Sequence, residues 1–315
     1  MIITDYLRYP HDITWDYAAQ LGITEGTVRL PEDNEFDVSN INHWKKICED
    51  FGRFGIHPLI IEPMPNALHD HIKAGDKDRD WAIEKVISMF PIMEELRITT
   101  ICFNFMAYVG WTRTNTNIKE RGGAKVTEFS LKDYKPSNYT ITESELWSNY
   151  KYFIEAVIPE AEKHGITLAL HPDDPPISKM GNVSRIMISL DNIEYAVSKI
   201  IDSPNLGVTM CQSCFKLMDN DLDNTIKRFK DKIKFIHFRN IRGNKENFHE
   251  TFHDNGILDM AHLISVYKNN GIDVPIRIDH VPTLAGEESK IAGYDSLGRL
   301  YAIGYLKGLL EATTN

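Results

Sequence analysis

Thr167-Leu168-Ala169-Leu170-His171, Gly207-Val208-Thr209-Met210-Cys211, Phe235-Ile236-His237-Phe238 and Pro275-Ile276-Arg277-Ile278-Asp279 share one pattern. Each is a short apolar run of strand type that delivers a metal-ligating residue at or near its end. Packing alone gives no reason for four strands to finish on two imidazoles, a thiol and a carboxylate. A (β/α)8 barrel does, because it assembles its site from the C-terminal ends of several strands.

Outward from these runs, the same strand signal recurs at Ile2-Ile3, Gly26 to Leu30, Pro58 to Ile61 and Thr99 to Phe105, which brings the total to the barrel number. Amphipathic stretches alternate with them, such as Trp44, Ile47 and Phe51, or Leu146, Tyr150, Phe153 and Val157, at helical spacing. Thr142 to Glu145 reads as a capping box, and Gly55, Gly165 and Gly271 stop helices before the next strand. Pro91 should kink or split the helical pattern from Trp81 to Leu96. Three connections, Met106 to Ile141, Arg239 to Gly256 and Val281 to Ser296, are longer than a bare barrel needs. Each follows a strand and so belongs on the C-terminal face, where βα loops hold substrate. The expected fold is a single (β/α)8 TIM barrel, one catalytic domain over residues 1–315, with extended loops on that face.

A formal charge of −10 without any long block of Lys and Arg argues against a nucleic-acid surface. The N-terminal Met1-Ile2-Ile3 meets Asp5, Arg8 and Pro10 with no sustained apolar segment, and no run approaches the roughly 20 residues of a membrane span. A cytoplasmic protein without membrane or nucleic-acid partners is therefore expected. Four cysteines are too few for a disulfide framework at this length, and Cys48 and Cys102 read as buried core thiols.

His171, Cys211, His237 and Asp279 offer nitrogen, sulfur and oxygen together, a set suited to Mn²⁺, Fe²⁺, Co²⁺ or Zn²⁺ rather than to Mg²⁺ or Ca²⁺. Thiolate and carboxylate would neutralise a divalent ion, so an anionic substrate would also need cationic side chains. Arg113 and Arg239 are the candidates for that task. In His171-Pro172-Asp173-Asp174-Pro175-Pro176, the adjacent acids could orient the ligand or bind sugar hydroxyls. His280, next to Asp279, is placed for proton transfer, and Tyr294 could be a second such group if a cation lowered its pKa.

At these residues the chain resembles the mannonate dehydratase family, metal-dependent lyases on a barrel similar to that of xylose isomerase. The matching segments are Cys102 to Met106 with Trp111 to Thr114, His171 to Pro176, His237 to Asn240, and Phe248, Glu250 and His253 before Asp259-Met260. Asp279-His280 and Gly293-Tyr294 with Leu297 to Leu300 complete them in the family's order. The resemblance implies dehydration of D-mannonate to 2-keto-3-deoxy-D-gluconate and water, within hexuronate breakdown, with Mn²⁺ or Fe²⁺ as cofactor. It puts the metal on His171, Cys211, His237 and Asp279, the acid/base pair on His280 and Tyr294, and substrate contacts on Arg113, Asp173, Arg239 and His253. A homodimer is plausible on the same ground.

The chain also departs from the pattern. Arg8-Tyr9-Pro10 is its nearest equivalent of an Arg-Trp-Tyr-Gly element, Val281 replaces a usual Gly, and Cys211 to Phe215 replaces a smaller turn. Two further readings fit the same residues: a metal-dependent sugar isomerase or epimerase, or a dehydratase of a related aldonate. A sugar-acid binding protein without catalysis is the reading from another class.

Overall fold

The structure is a computed structural model that describes residues 1–33, 35–218, 221–289 and 291–313. Eight parallel strands close into a barrel: β1 (Ile3–Arg8), β2 (Glu25–Arg29), β3 (His57–Ile61), β4 (Thr100–Phe103), β5 (Thr167–Leu170), β6 (Leu206–Cys211), β7 (Ile233–Phe238) and β8 (Ile276–Ile278). Each pairs with the next in sequence, and β8 returns to β1 through Ile276 opposite Ile3. The fold is a (β/α)8 TIM barrel, as the alternation of runs predicts. Among the described residues no helix is long and apolar enough to cross a membrane.

Local chemistry explains the alternation. The helix Glu143–Lys163 starts on the reciprocal Thr142–Glu145 capping box and ends before Gly165, whose φ of 66° suits a residue without Cβ. Its Leu146, Tyr150, Phe153 and Val157 are fully buried against the sheet. The helix Arg79–Glu95 stays one element through Pro91, contrary to the expected break. Buried Met89, Phe90, Ile92 and Met93 flank the proline and hold the helix in place against the loss of one backbone bond. Strand β1 runs five residues past the Ile3 where its apolar signal stops, because its polar side chains find partners inside the molecule. Thr4 bonds Thr27 at 2.8 Å, and Arg299 Nε donates to Asp5 at 2.8 Å.

The long connections are not plain loops. Asn115–Lys119 and Lys125–Ser130, after β4, join Ile241–Asn244 and Asn247–Glu250, after β7, in one four-stranded antiparallel sheet. Phe129, Ile241 and Phe248 give this rim sheet a small apolar core of its own. The third connection is tied on by paired backbone bonds between Lys125 and Thr283.

Beneath the rim sheet lies a cluster of four charges whose side chains are at most 2% exposed. Arg113, from the β4 loop, donates to Asp174 at 2.9 and 3.0 Å and to Glu250 at 2.6 Å. Arg239, just past β7, donates to Asp174 at 2.6 Å and to Glu250 at 2.6 and 2.9 Å. Two guanidiniums and two carboxylates thus bind three connections together with no net charge.

Two measurements check this account. Replacing one member of a buried ion cluster leaves the others uncompensated, so Arg113→Met should cost about 3–5 kcal/mol in urea denaturation; an unchanged midpoint would show that the cluster is not holding the rim. A Cβ on Gly207 would overlap the carbonyl oxygen of Lys232, the residue just before β7. Gly207→Ala should therefore lower stability by about 1–3 kcal/mol, and a neutral substitution would contradict the close approach of β6 and β7.

Candidate metal and acid/base site

The four strand-end donors are set by barrel geometry. Parallel β6 and β7 pair with Cys211 opposite His237, and β7 and β8 pair with Phe238 opposite Ile278, one residue before Asp279. His171 follows the end of β5, which pairs with β6. Donor atoms of His171, Cys211 and His237 all lie within 4.8 Å of one another. Asp279 stands beside them, its Oδ2 3.8 Å from His237 Nδ1.

The protonation pattern suits a cation. His171 Nδ1 donates to the Pro172 carbonyl at 2.6 Å, which turns Nε2 toward the donor set; burial opposes a charge on the ring, but the Cys211 thiolate outweighs it and raises the pKa to about 9, so a cation bound there would displace the Nε2 proton. Both ring nitrogens of His237 are buried without a hydrogen bond, although Glu62 Oε1 comes within 3.2 Å of Nε2. Such orphaned atoms cost stability unless something binds them. Burial opposes ionisation of Cys211, but a hydrogen bond from Cys214 and the Arg239 guanidinium outweigh it and hold the thiol well below its ordinary pKa. The Arg239 Nη1 lies 3.6 Å from Cys211 Sγ and 3.7 Å from Cys214 Sγ. Burial likewise opposes the Asp279 carboxylate, and His280 and Arg277 keep it ionised. Two neutral-capable imidazoles with a thiolate and a carboxylate fit a borderline divalent ion.

Beside this set, His280 Nε2 lies 3.2 Å from Tyr294 Oη, and His280 Nδ1 lies 3.2 Å from Glu250 Oε1. The Trp111 ring packs over His280 with centroids 4.9 Å apart. Burial, reinforced by the Asp279 charge, pushes the Tyr294 phenol well above its usual pKa. The protein's own groups therefore keep its proton on.

A cavity of about 410 Å³ opens above these residues. His171, His237, Asp279, His280 and Tyr294 line one side, and Arg8, Arg29, Asn66, Lys73 and Asn104 line much of the rest. Cys211 lies behind, fully buried.

The four side chains expected to touch substrate are placed differently. Arg113 and Arg239 spend their donors on Asp174 and Glu250 and do not line the cavity. Asp173 is fully buried and accepts from the Ile186 and Met187 N–H groups, both at 3.0 Å, so it ties down the β5 loop; Asp174 is the acid that reaches the cavity. His253 bonds the Phe238 carbonyl at 2.8 Å and stacks on the Phe238 ring, and burial pushes its pKa down to about 4. All four support the site from behind it.

Two groups in the cavity escaped sequence reading. Glu62 directly follows β3, the same strand-end position as the donors, and Arg277 interrupts the apolar run of β8; either pattern could have flagged them. They pair at 2.7 and 2.8 Å, and Arg277 also donates to Asp279 at 3.0 Å. Cys102 is a buried thiol as expected, yet it faces the cavity near Glu62 and His237 rather than the outer core.

Comparison with known proteins agrees with this geometry. A family model described as D-mannonate dehydratase (UxuA) matches residues 12–140 and 130–315. Mannonate dehydratase 2 of Halalkalibacterium halodurans is 31% identical, over 89% of this chain and 91% of its own length. The mannonate dehydratase of Oceanobacillus iheyensis is 33% identical, over 90% and 87%. The crystal structure of mannonate dehydratase from Streptococcus suis serotype 2 superposes with a TM-score of 0.87 at 25% identity, over 99% of this chain and 94% of that one. A D-psicose 3-epimerase from Clostridium cellulolyticum H10, 12% identical with a TM-score of 0.64 over 99% of both chains, shares the fold alone. With the family model spanning nearly all of its length, this chain belongs to the D-mannonate dehydratase family.

Proposed function

We propose that this chain is a metal-dependent hydro-lyase that converts D-mannonate to 2-keto-3-deoxy-D-gluconate and water. The observation that carries the reading is the contact between His280 and Tyr294 at the edge of a buried His-Cys-His-Asp donor set, inside a cavity of sugar size. His171, Cys211, His237 and Asp279 would hold Mn²⁺ or Fe²⁺. Bound there, such an ion supplies Lewis acidity toward the C1 carboxylate and C2 hydroxyl of an aldonate.

The chain's own residues divide the remaining work. Dehydration removes a proton from C2 and the hydroxyl from C3, which departs as water once protonated, and the resulting enol tautomerises to the 2-keto acid. Two proton transfers need two groups, and His280 and Tyr294 stand within one hydrogen bond of each other. Glu250 Oε1 stands 3.2 Å behind the imidazole at Nδ1, outside hydrogen-bond geometry but close enough to stabilise a positive ring, while Arg239 and Arg113 keep Glu250 ionised: burial works against its charge, yet its pKa falls to about 2. Trp111 covers the imidazole.

Protein reconstituted with Mn²⁺ or Fe²⁺ and incubated with a panel of aldonates should form a 2-keto acid from D-mannonate. A product of unchanged mass would point to an isomerase, and no product would contradict the activity. His280→Asn and Tyr294→Phe should each lower kcat by about 10²–10⁴-fold while bound metal is retained; near-normal turnover in either would remove that residue from the chemistry. Cys211→Ser and His237→Asn act at the donor set itself. Each should weaken metal binding by at least about tenfold, since even outer-sphere partners are worth 10–100-fold, and wild-type metal content by elemental analysis would refute the ligand assignment.

A further inference from the structure

The cations around the cavity are nearly all spoken for. Arg29 donates to Glu32 at 2.7 and 2.8 Å, Lys73 pairs with Asp70 at 2.8 Å, and Arg277 is held by Glu62 and Asp279. Arg113 and Arg239, which an anionic substrate would otherwise attract, balance Asp174 and Glu250. Arg8 is the exception. Among the described residues its guanidinium is the one cavity-lining cation for which no carboxylate comes within ion-pair distance; its neighbours are the rings of Tyr6 and Tyr294, at 5.7 and 6.0 Å.

Its position makes the absence of a partner meaningful. Arg8 ends β1, next to β8 in the barrel, and so stands beside Tyr294 and one residue removed from His280. It also borders an adjoining hollow lined by four acids, three of them held by other groups: Asp12 by the Thr14 N–H, Glu287 by the N–H groups of Leu284 and Leu297, Asp295 by Thr283 and Ser289; the fourth, Glu288, is exposed and makes no ion pair with Arg8. Half-buried, it is drawn toward the site without being neutralised.

Glu62 with Arg277, Asp70 with Lys73, Glu32 with Arg29, and the Arg113-Arg239-Asp174-Glu250 cluster each sum to zero. A divalent ion on Cys211 thiolate and Asp279 carboxylate sums to zero as well. Among the described residues that line the cavity, Arg8 leaves a single positive charge, equal and opposite to the one carboxylate of a sugar acid.

We propose that Arg8 is the specificity-determining residue of the cavity, supplying the counter-charge for the substrate carboxylate and so selecting a sugar monoacid over a neutral sugar. This rests on the sugar-acid reading of the site, but it is separable from dehydration. In a confined, low-dielectric cavity an uncompensated unit charge acts strongly on a ligand of opposite sign.

The test is calorimetric and needs no turnover. Metal-loaded His280→Asn protein, in which reaction is suppressed, is titrated with D-mannonate and with D-mannitol, the neutral polyol of the same carbon chain, with and without Arg8→Gln or Arg8→Lys. Arg8→Gln should weaken D-mannonate by about 10–100-fold, the range for a hydrogen bond to a charged group, and leave D-mannitol and metal content unchanged. Arg8→Lys should recover most of the preference. Unchanged D-mannonate binding in Arg8→Gln, an equal loss for both ligands, or no D-mannonate binding by the Arg8-containing protein would overturn the proposal. If the acid preference depends on Arg8 while wild-type protein makes no 2-keto acid, the dehydration reading fails and the role of Arg8 stands.

Discussion

The ion cluster of Arg113, Arg239, Asp174 and Glu250 is the constraint on which the rest of this face depends. A barrel supplies strand ends at fixed spacing, but the connections that follow them are long, and nothing in the barrel itself aligns those connections. The cluster does so by joining residues from the β4, β5 and β7 connections, 61 to 137 residues apart for the bonds of Arg113. Desolvating four charges is expensive and is offset only when every donor and acceptor is satisfied. That requirement tolerates little displacement, so the connections that carry Trp111 and Glu250 are fixed relative to the barrel.

From this cluster, order passes to the site in two directions. Through Arg239 it reaches the sulfurs of Cys211 and Cys214 and favours the thiolate form of Cys211. Through Glu250 it places a carboxylate oxygen 3.2 Å from His280 Nδ1, while the opposite ring nitrogen lies against Tyr294. The strand-end cluster and the His280–Tyr294 contact thus adjoin one electrostatic unit. Its neutrality also explains why the cavity is left with the charge of Arg8 alone among its described cations.

The barrel and the donor set were legible in the sequence because both follow from short-range patterns. An apolar run of strand length ending in His, Cys or Asp needs only a few residues to recognise, and the repetition over β5 to β8 supplies its own check. Strand β1 was legible only at Ile2-Ile3, since Thr4, Asp5 and Arg8 conceal a strand whose polar side chains are satisfied from residues distant in the chain. The rim sheet was illegible for a similar reason: Asn115–Lys119 is mostly exposed, and Lys125–Ser130 pairs with Asn247–Glu250 from more than a hundred residues away. Arg113 and Arg239 stand out in the sequence, but their pairing with Asp174 and Glu250 does not. A sequence shows a cation but not the carboxylate that folding brings to it, so a buried structural arginine and a free substrate-binding one look alike. Arg8 shows the converse, a residue whose significance lies in the carboxylate partner that no described residue supplies.

The proposed coordination through the Cys211 thiolate would link the strand-end pattern, the Arg239 field and the proposed chemistry in one bond. Cobalt(II) in place of the native ion makes that bond visible, because thiolate ligation gives a charge-transfer absorption that nitrogen and oxygen ligands do not. Titration of the metal-free protein with Co²⁺ should produce this band to one equivalent, and Cys211→Ser protein should lack it even when cobalt is raised high enough to bind. Stoichiometric cobalt binding by the wild-type protein without a thiolate band, or the same band in Cys211→Ser, would contradict the account.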